Sequence, residues 1–153
     1  MPTLFLLCGL PGSGKTSLAR KIERDHNALR LCPDEWLAPL FGTELPQEQL
    51  DAARIPVETV QWTVAADALR LGINVVLENG FWAKAEREEF RRRAETLGAD
   101  VRLFYLEVSR VELWERLSRR NAALPPHTFR VTKAQLEEWW RVFEPPEPNE
   151  LFR

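Results

Sequence analysis

Reactive and metal-binding side chains are scarce here: the 153 residues include two cysteines, two histidines, one tyrosine and one methionine. Cys8 and Cys32 form no C-x-x-C pair. They read as small core residues in predicted buried strands, in a reducing compartment, and not as a disulfide or a metal site. His26 and His127 stand apart from each other and from the cysteines, which argues against zinc. No apolar run approaches the roughly 18 residues of a membrane span, and the N-terminus reads straight into a strand. Neither a membrane segment nor a signal peptide is expected, and the expected location is the cytoplasm. An excess of one charge is missing too. Lys and Arg total 21 against 23 Asp and Glu, for a net charge of −2. No overall basic field advertises nucleic acid, although a local basic groove would escape that count. Repeats, low-complexity stretches and linkers are absent, so residues 1–153 are expected to form one domain.

Glycine is sparse as well, at 7 residues, yet Gly9, Gly12 and Gly14 fall within one short stretch, "LCGLPGSGKTSLA". The spacing Gly9-x4-Gly14-Lys15-Thr16 fits the phosphate-loop (Walker A) pattern G-x-x-x-x-G-K-[ST] without a mismatch. Glycines can take positive φ, so successive N–H groups turn inward as an anion-binding nest. The helix that follows aims unpaired N–H groups and its positive dipole end at the same point. Lys15 adds a full charge for the transferring phosphoryl group, and the Thr16 hydroxyl can ligate Mg²⁺. Gly9, Gly12, Ser13, Gly14, Lys15, Thr16 and Ser17 are therefore the candidate nucleotide-binding residues.

Apolar runs alternate with helical patterns, which predicts an α/β fold around a parallel sheet. Strands are predicted at about 3–8, 29–32, 73–77 and 101–106, with at most a stub of a fifth near 149–152. Helices are predicted at about 15–26, 34–42, 56–71, 84–97, 110–121 and from 133 to 143. For the third, the apolar positions Val57, Val60, Val64, Ala68 and Leu71 repeat at helical spacing, with Gly72 as its cap. Ser109 with Glu112, and Thr132 with Gln135, have the spacing of capping boxes. Ligands in such folds lie past the carboxyl ends of the strands. That places weight on Asp34 after the second strand, Glu78 after the third and the interrupted helices after the fourth.

Asp34 is suited to orient an acceptor hydroxyl and take its proton, and equally suited to cap the helix that begins there. Glu78 can hold Mg²⁺ through water, bind an acceptor, or be a buried partner of an arginine. Arg116 and Arg120, four residues apart, share a helical face that could close over a triphosphate and stabilise transition-state charge, while Arg119 faces solvent. The Arg91-Arg92-Arg93 run, interleaved with glutamates, reads as a charged outer face. Trp62, Trp114, Trp139 and Trp140 read as packing residues. Trp36 and Trp82 flank the two acidic positions and could wall a ring-bearing acceptor or simply pack in the core.

The loop, "PDEW", "VVLENGFWAKAERE", "ELWERLSRRN" and "FEPP" together resemble the small P-loop kinases grouped as AAA-type "predicted kinases", over nearly the whole chain. Relatives of that group are zeta-toxin-like proteins, chloramphenicol phosphotransferase and the kinase modules of polynucleotide 5′-kinases. The resemblance implies a P-loop NTPase fold, with a parallel sheet of four to five strands flanked by helices and a short helical lid. It implies ATP and Mg²⁺ as cofactors held by Lys15 and Thr16, Asp34 as general base, and Arg116 and Arg120 as lid arginines. Arg87 matches an arginine of that family facing the acceptor. The family's Asp-x-Thr-Asn after the third strand reads Glu78-Asn79-Gly80-Phe81 here. The expected activity is phosphoryl transfer from ATP to a hydroxyl-bearing small molecule. The alternatives are a 5′-hydroxyl polynucleotide kinase, with nucleic acid as a less favoured partner, or a nucleotide-binding regulatory module with little turnover.

Overall fold

The computed structural model describes residues 1–153. Four strands, β1 (Thr3–Cys8), β2 (Leu29–Leu31), β3 (Val75–Gly80) and β4 (Asp100–Tyr105), form one parallel sheet in the order β2-β3-β1-β4. Around it lie α1 (Lys15–His26), α2 (Pro33–Phe41), α3 (Gln47–Arg70), α4 (Lys84–Thr96), α5 (Arg110–Ala122) and α6 (Lys133–Val142). No helix is long and apolar enough to cross a membrane.

The central strand β1 is buried along its whole length, so its side chains alternate between two apolar layers. Leu4, Leu6 and Cys8 join Ala65, Ala68 and Leu69 of α3 and Phe90 and Ala94 of α4. Phe5 and Leu7 face Ala19 and Ile22 of α1. Each fully buried leucine here contributes about 1.5–3 kcal/mol, and together they fix where the carboxyl edge of the sheet lies. A third, smaller cluster, with Leu10, Leu113, Leu117, Val131 and Leu136, ties the end of β1 to α5 and α6. These two helices, with the irregular segment 123–132 between them, form the lid. Its capping devices are half as expected: Thr132 and Gln135 make a full capping box, whereas Ser109 accepts from the Glu112 N–H and the Glu112 carboxylate turns to Arg116.

Helix α3 begins nine residues before Pro56, where the sequence pattern placed its start. A proline inside a helix costs a hydrogen bond and crowds the preceding turn. Buried Leu50 and Val57 on either side of it offset that cost. The buried face is the predicted one only in part: Val57 and Ala68 turn inward as expected, joined by Gln61, Ala65, Ala66 and Leu69, while Val60, Val64 and Leu71 are exposed. Gly72 does end the helix, with its own N–H bonded to Leu69 and that of Ile73 to Ala68.

β3 starts two residues later than predicted and runs on to Gly80, because the Gly9 N–H continues the ladder by donating to the Gly80 carbonyl at 3.0 Å. Glu78 therefore lies within the strand and not after it. There is no fifth strand: the C-terminal stretch forms a 3₁₀ turn at Pro148–Glu150 and meets β4 through one backbone bond, from the Phe152 N–H to the Leu103 carbonyl, and through the Phe152 ring against Phe104 and Arg102. Both cysteines are free thiols. Cys8 is in β1 as expected, but Cys32 lies outside β2, at the N-cap of α2.

Candidate nucleotide and acceptor cleft

Between β1 and α1 the chain turns with φ of 85° at Gly12 and 99° at Gly14, conformations that favour glycine. Gly9 does not share them. A side chain there would bring a Cβ within 2.6 Å of the Ser13 hydroxyl oxygen, so Gly9 is demanded by close approach and not by positive φ. Ser13 is buried beneath the loop with its hydroxyl unpaired. Gly14 caps α1 with no side chain acceptor. In consequence the N–H groups of Gly12, Gly14, Lys15, Thr16 and Ser17 find no acceptor within the chain. Unpaired donors at a helix start with a lysine beside them make an anion site.

Lys15 Nζ donates to the Gly9 and Leu10 carbonyls at 3.0 Å each. Burial pushes its pKa down to about 8, against the opposing pull of Asp34 and Glu78. Thr16 Oγ1 donates to Glu78 Oε1 at 2.7 Å, and Arg30 from β2 holds the other oxygen of Glu78 at 2.6 Å. Only 2% of the Glu78 side chain is exposed. The arginine pairing anticipated as one reading of Glu78 is therefore present, together with the contact to Thr16.

The loop opens into a cavity of about 700 Å³. Its walls include Gly12, Gly14, Lys15, Thr16, Ser17, Asp34, Glu78, Trp82, Arg116 and Arg120 of the predicted set. Asp34 is in the first turn of α2, whose N-cap is Cys32, and makes no cap bond. Its Oδ1 accepts from Arg54 Nη2 at 2.6 Å, and the second carboxylate oxygen has no hydrogen-bond partner in the chain. Arg116 reaches the Gly12 and Ser13 carbonyls at 3.4 Å, over the phosphate loop. Arg120 donates to the Phe129 carbonyl, its Nε is buried without a partner, and burial lowers its pKa against the attraction of Asp34. Trp82 Nε1 donates to the Gly9 carbonyl, and its ring lies 5.7 Å from that of Trp139.

Two candidates are elsewhere. Trp36 packs against the main core and does not line the cavity, because the turn that aims Asp34 at the cleft aims Trp36 at the sheet. Arg87 is 3% exposed and donates to the Phe81 and Glu144 carbonyls and to Glu150. It clamps the C-terminal stretch to the loop after β3 and has no group facing an acceptor. The other packing assignments hold for Trp62, Trp114 and Trp139, which pack against buried clusters, although Trp139 also lines the cleft, but Trp140 is exposed.

Several lining residues had no signal in the sequence pattern: Asp51, Arg54 and Glu58 on α3, Asn79 on β3, Glu86 on α4 and Arg130 in the lid. Arg54 and Glu58 have the spacing of a helical ion pair, at 4.0 Å, but the first turns of α3 read as a polar loop. Burial pushes the Glu58 carboxyl up to about 7, with Glu86 and Asp34 adding to the rise and Arg54 opposing it. Burial raises Glu86 as well.

Residues 4–146 match the AAA_33 family, an AAA domain. The chain belongs to that family. None of the curated proteins matches it. As an AAA_33 domain it has the P-loop kinase-like fold, and solved structures with that fold are similar to it along most of its length. A candidate kinase from Chloroflexus aurantiacus J-10-fl shares 21% identity with a TM-score of 0.76, over 96% of this chain and 83% of its own. A chain of the Pnkp1/Rnl/Hen1 RNA repair complex gives 21% and 0.72, over 92% of this chain and 43% of its own. A gluconokinase from Sinorhizobium meliloti 1021 gives 19% and 0.63, over 96% and 78%.

Proposed function

We propose that residues 1–153 form one kinase domain that transfers the γ-phosphoryl group of ATP to a hydroxyl of a small molecule, with Mg²⁺. The observation that carries this reading is the carboxylate of Asp34, held on one oxygen and free on the other, in the same cavity as the unpaired N–H groups of the phosphate loop. A protein that only binds nucleotide has no use for a proton acceptor there. Lys15 and the loop N–H groups hold the phosphates, Arg116 and Arg120 cover them from the lid, and Asp34 orients the acceptor hydroxyl and takes its proton. The oxygen-only donors at the loop, the Thr16 hydroxyl backed by Glu78, suit a hard cation. Thr16 would hold Mg²⁺, with Glu78 behind it, and the bound ion supplies neutralisation of phosphate charge.

The likeness to a chain of an RNA repair complex keeps a polynucleotide acceptor as the second reading. The far wall favours a small molecule, since Asp51, Glu58 and Glu86 would face phosphodiesters with like charge. The likeness to a gluconokinase points the same way.

Purified protein with Mg·ATP should be offered sugars, nucleosides, antibiotics and 5′-OH oligonucleotides. Turnover of a small alcohol is expected. Phosphorylation of oligonucleotides alone overturns the small-molecule reading, and no transfer to any acceptor favours the regulatory one. Asp34→Asn should lower transfer by roughly 10²-fold or more, because an amide cannot take a proton. ATP affinity should change little. With no cap bond at stake, thermal stability should also hold within about 1 kcal/mol.

A further inference from the structure

Asp34 is the one carboxylate of the cleft that a base mechanism requires, and its own helix does little to fix it. It makes no cap bond, and its side chain is 43% exposed. What holds it comes from elsewhere in the chain: Arg54, on the second turn of α3, reaches across the cleft wall with Nη2 at 2.6 Å from Oδ1. Arg54 is itself restrained by Glu58, one turn further along, at 4.0 Å. The guanidinium takes the shorter contact to Asp34 over the longer one to its own helical neighbour.

The pairing is asymmetric. Only Oδ1 is engaged, so the second oxygen of Asp34 keeps its lone pairs for another donor. The other cations near Asp34 do not contact it: Lys15 is occupied by backbone carbonyls of the loop, and Arg120 reaches the Phe129 carbonyl. Arg54 is thus the only cation that contacts it. The carboxylate that faces it from α3, Glu58, repels it when ionised. Without Arg54, that repulsion and the exposure of the side chain leave Asp34 free to rotate out of the cleft.

We propose that Arg54 is a positioning residue of the transfer reaction: it holds one oxygen of Asp34 so that the other faces the acceptor hydroxyl. This rests on Asp34 being the base. Arg54 then contributes to the rate through orientation, and a misplacement of about 1 Å at a reacting group can cost roughly 10²-fold. It contributes little to stability, because exposed ion pairs are worth little. A lysine can partly replace it, since the contact is through one nitrogen and not a bidentate fork.

Four variants and three readouts test this. Three-bond couplings to Asp34 Cγ report its χ1 in solution and need no acceptor. Hydrolysis of Mg·ATP, with water standing as acceptor, reports the rate. Wild type and Arg54→Lys should show one dominant χ1 rotamer, and Arg54→Met should show averaging. Arg54→Met should lower turnover about 10-fold or more with the KM for ATP within about twofold, Arg54→Lys should recover most of that loss, and melting temperatures should agree within about 3 °C. In the Asp34→Asn background, Arg54→Met should cost nothing further. A single Asp34 rotamer in Arg54→Met overturns the proposal, as does a rate loss of equal size with and without Asp34. Full turnover in Asp34→Asn alone would instead overturn the reading of Asp34 as the base, whatever the rotamers show.

Discussion

At one end of the cleft the binding groups are main chain: the N–H groups of Gly12, Gly14, Lys15, Thr16 and Ser17, set by one tight loop. At the other end they are side chains, Asp34 from α2, Arg54 and Glu58 from α3, Glu86 from α4, brought together by three helices. The carboxylates at the two ends differ in the same sense. Glu78 is 2% exposed and locked by Thr16 and Arg30, whereas Asp34 is 43% exposed and held by one arginine. A phosphate is the same in every nucleotide, and a rigid main-chain cradle suits it. The other end, the proposed acceptor end, is built from interchangeable side chains and can be altered without disturbing that cradle.

The largest effect should come from the charge at the rigid end. Lys15→Ala should reduce turnover by about 10³-fold and weaken ATP binding, whereas Asp34→Asn leaves ATP binding intact. Because burial works against the Lys15 ammonium while its bonds to the Gly9 and Leu10 carbonyls work for it, its removal should leave the domain folded. Titration with a fluorescent ATP analogue and thermal unfolding on the two variants would break the comparison if both lost nucleotide equally.

The same division explains what could be read in advance. The phosphate loop is a local motif, so the spacing from Gly9 to Thr16 carries its geometry, and the apolar run of β1 carries its burial. The acceptor end depends on contacts between distant residues. Arg54 meets Asp34 across 20 positions, from a helical turn that Pro56 disguised as a loop. Trp36 and Arg87 follow Asp34 and Glu78 in sequence yet point away from the cleft, a matter of helix phase that spacing alone does not fix. The outward turn of Val60, Val64 and Leu71 has the same origin: α3 packs with Ala65 and Ala66, small side chains that the pattern passed over for larger neighbours.

The lid stands between the two ends, and Arg120 should show an intermediate effect. Its buried, unpaired Nε and its lowered pKa describe a guanidinium short of partners within the chain. If it meets charge developing on the γ-phosphoryl group, Arg120→Ala should lower kcat by about 10²-fold and raise the KM for ATP much less. A variant with unchanged kcat would assign Arg120 to the lid's own structure, through its bond to Phe129.

The smallest effect should be a gain in stability at the acceptor end. Burial lifts the Glu58 carboxyl from 4.5 to about 7, so the folded protein binds a proton there more tightly than the unfolded chain does. Below about pH 4 both states are protonated and Glu58 adds no pH-dependent cost. As the pH rises from about 4.5 to 7 the unfolded chain releases its proton first, and wild-type stability falls; above 7 the cost is complete. Glu58→Gln removes the titration and keeps the shape. It should exceed wild type by on the order of 1–2 kcal/mol at pH 8, below the roughly 3 kcal/mol of the full shift because water still reaches the side chain. No gain from this source is expected at pH 4. Denaturant unfolding of both proteins at the two pH values measures it. A gain that is equal at both would mean that Glu58 is not held protonated by its surroundings.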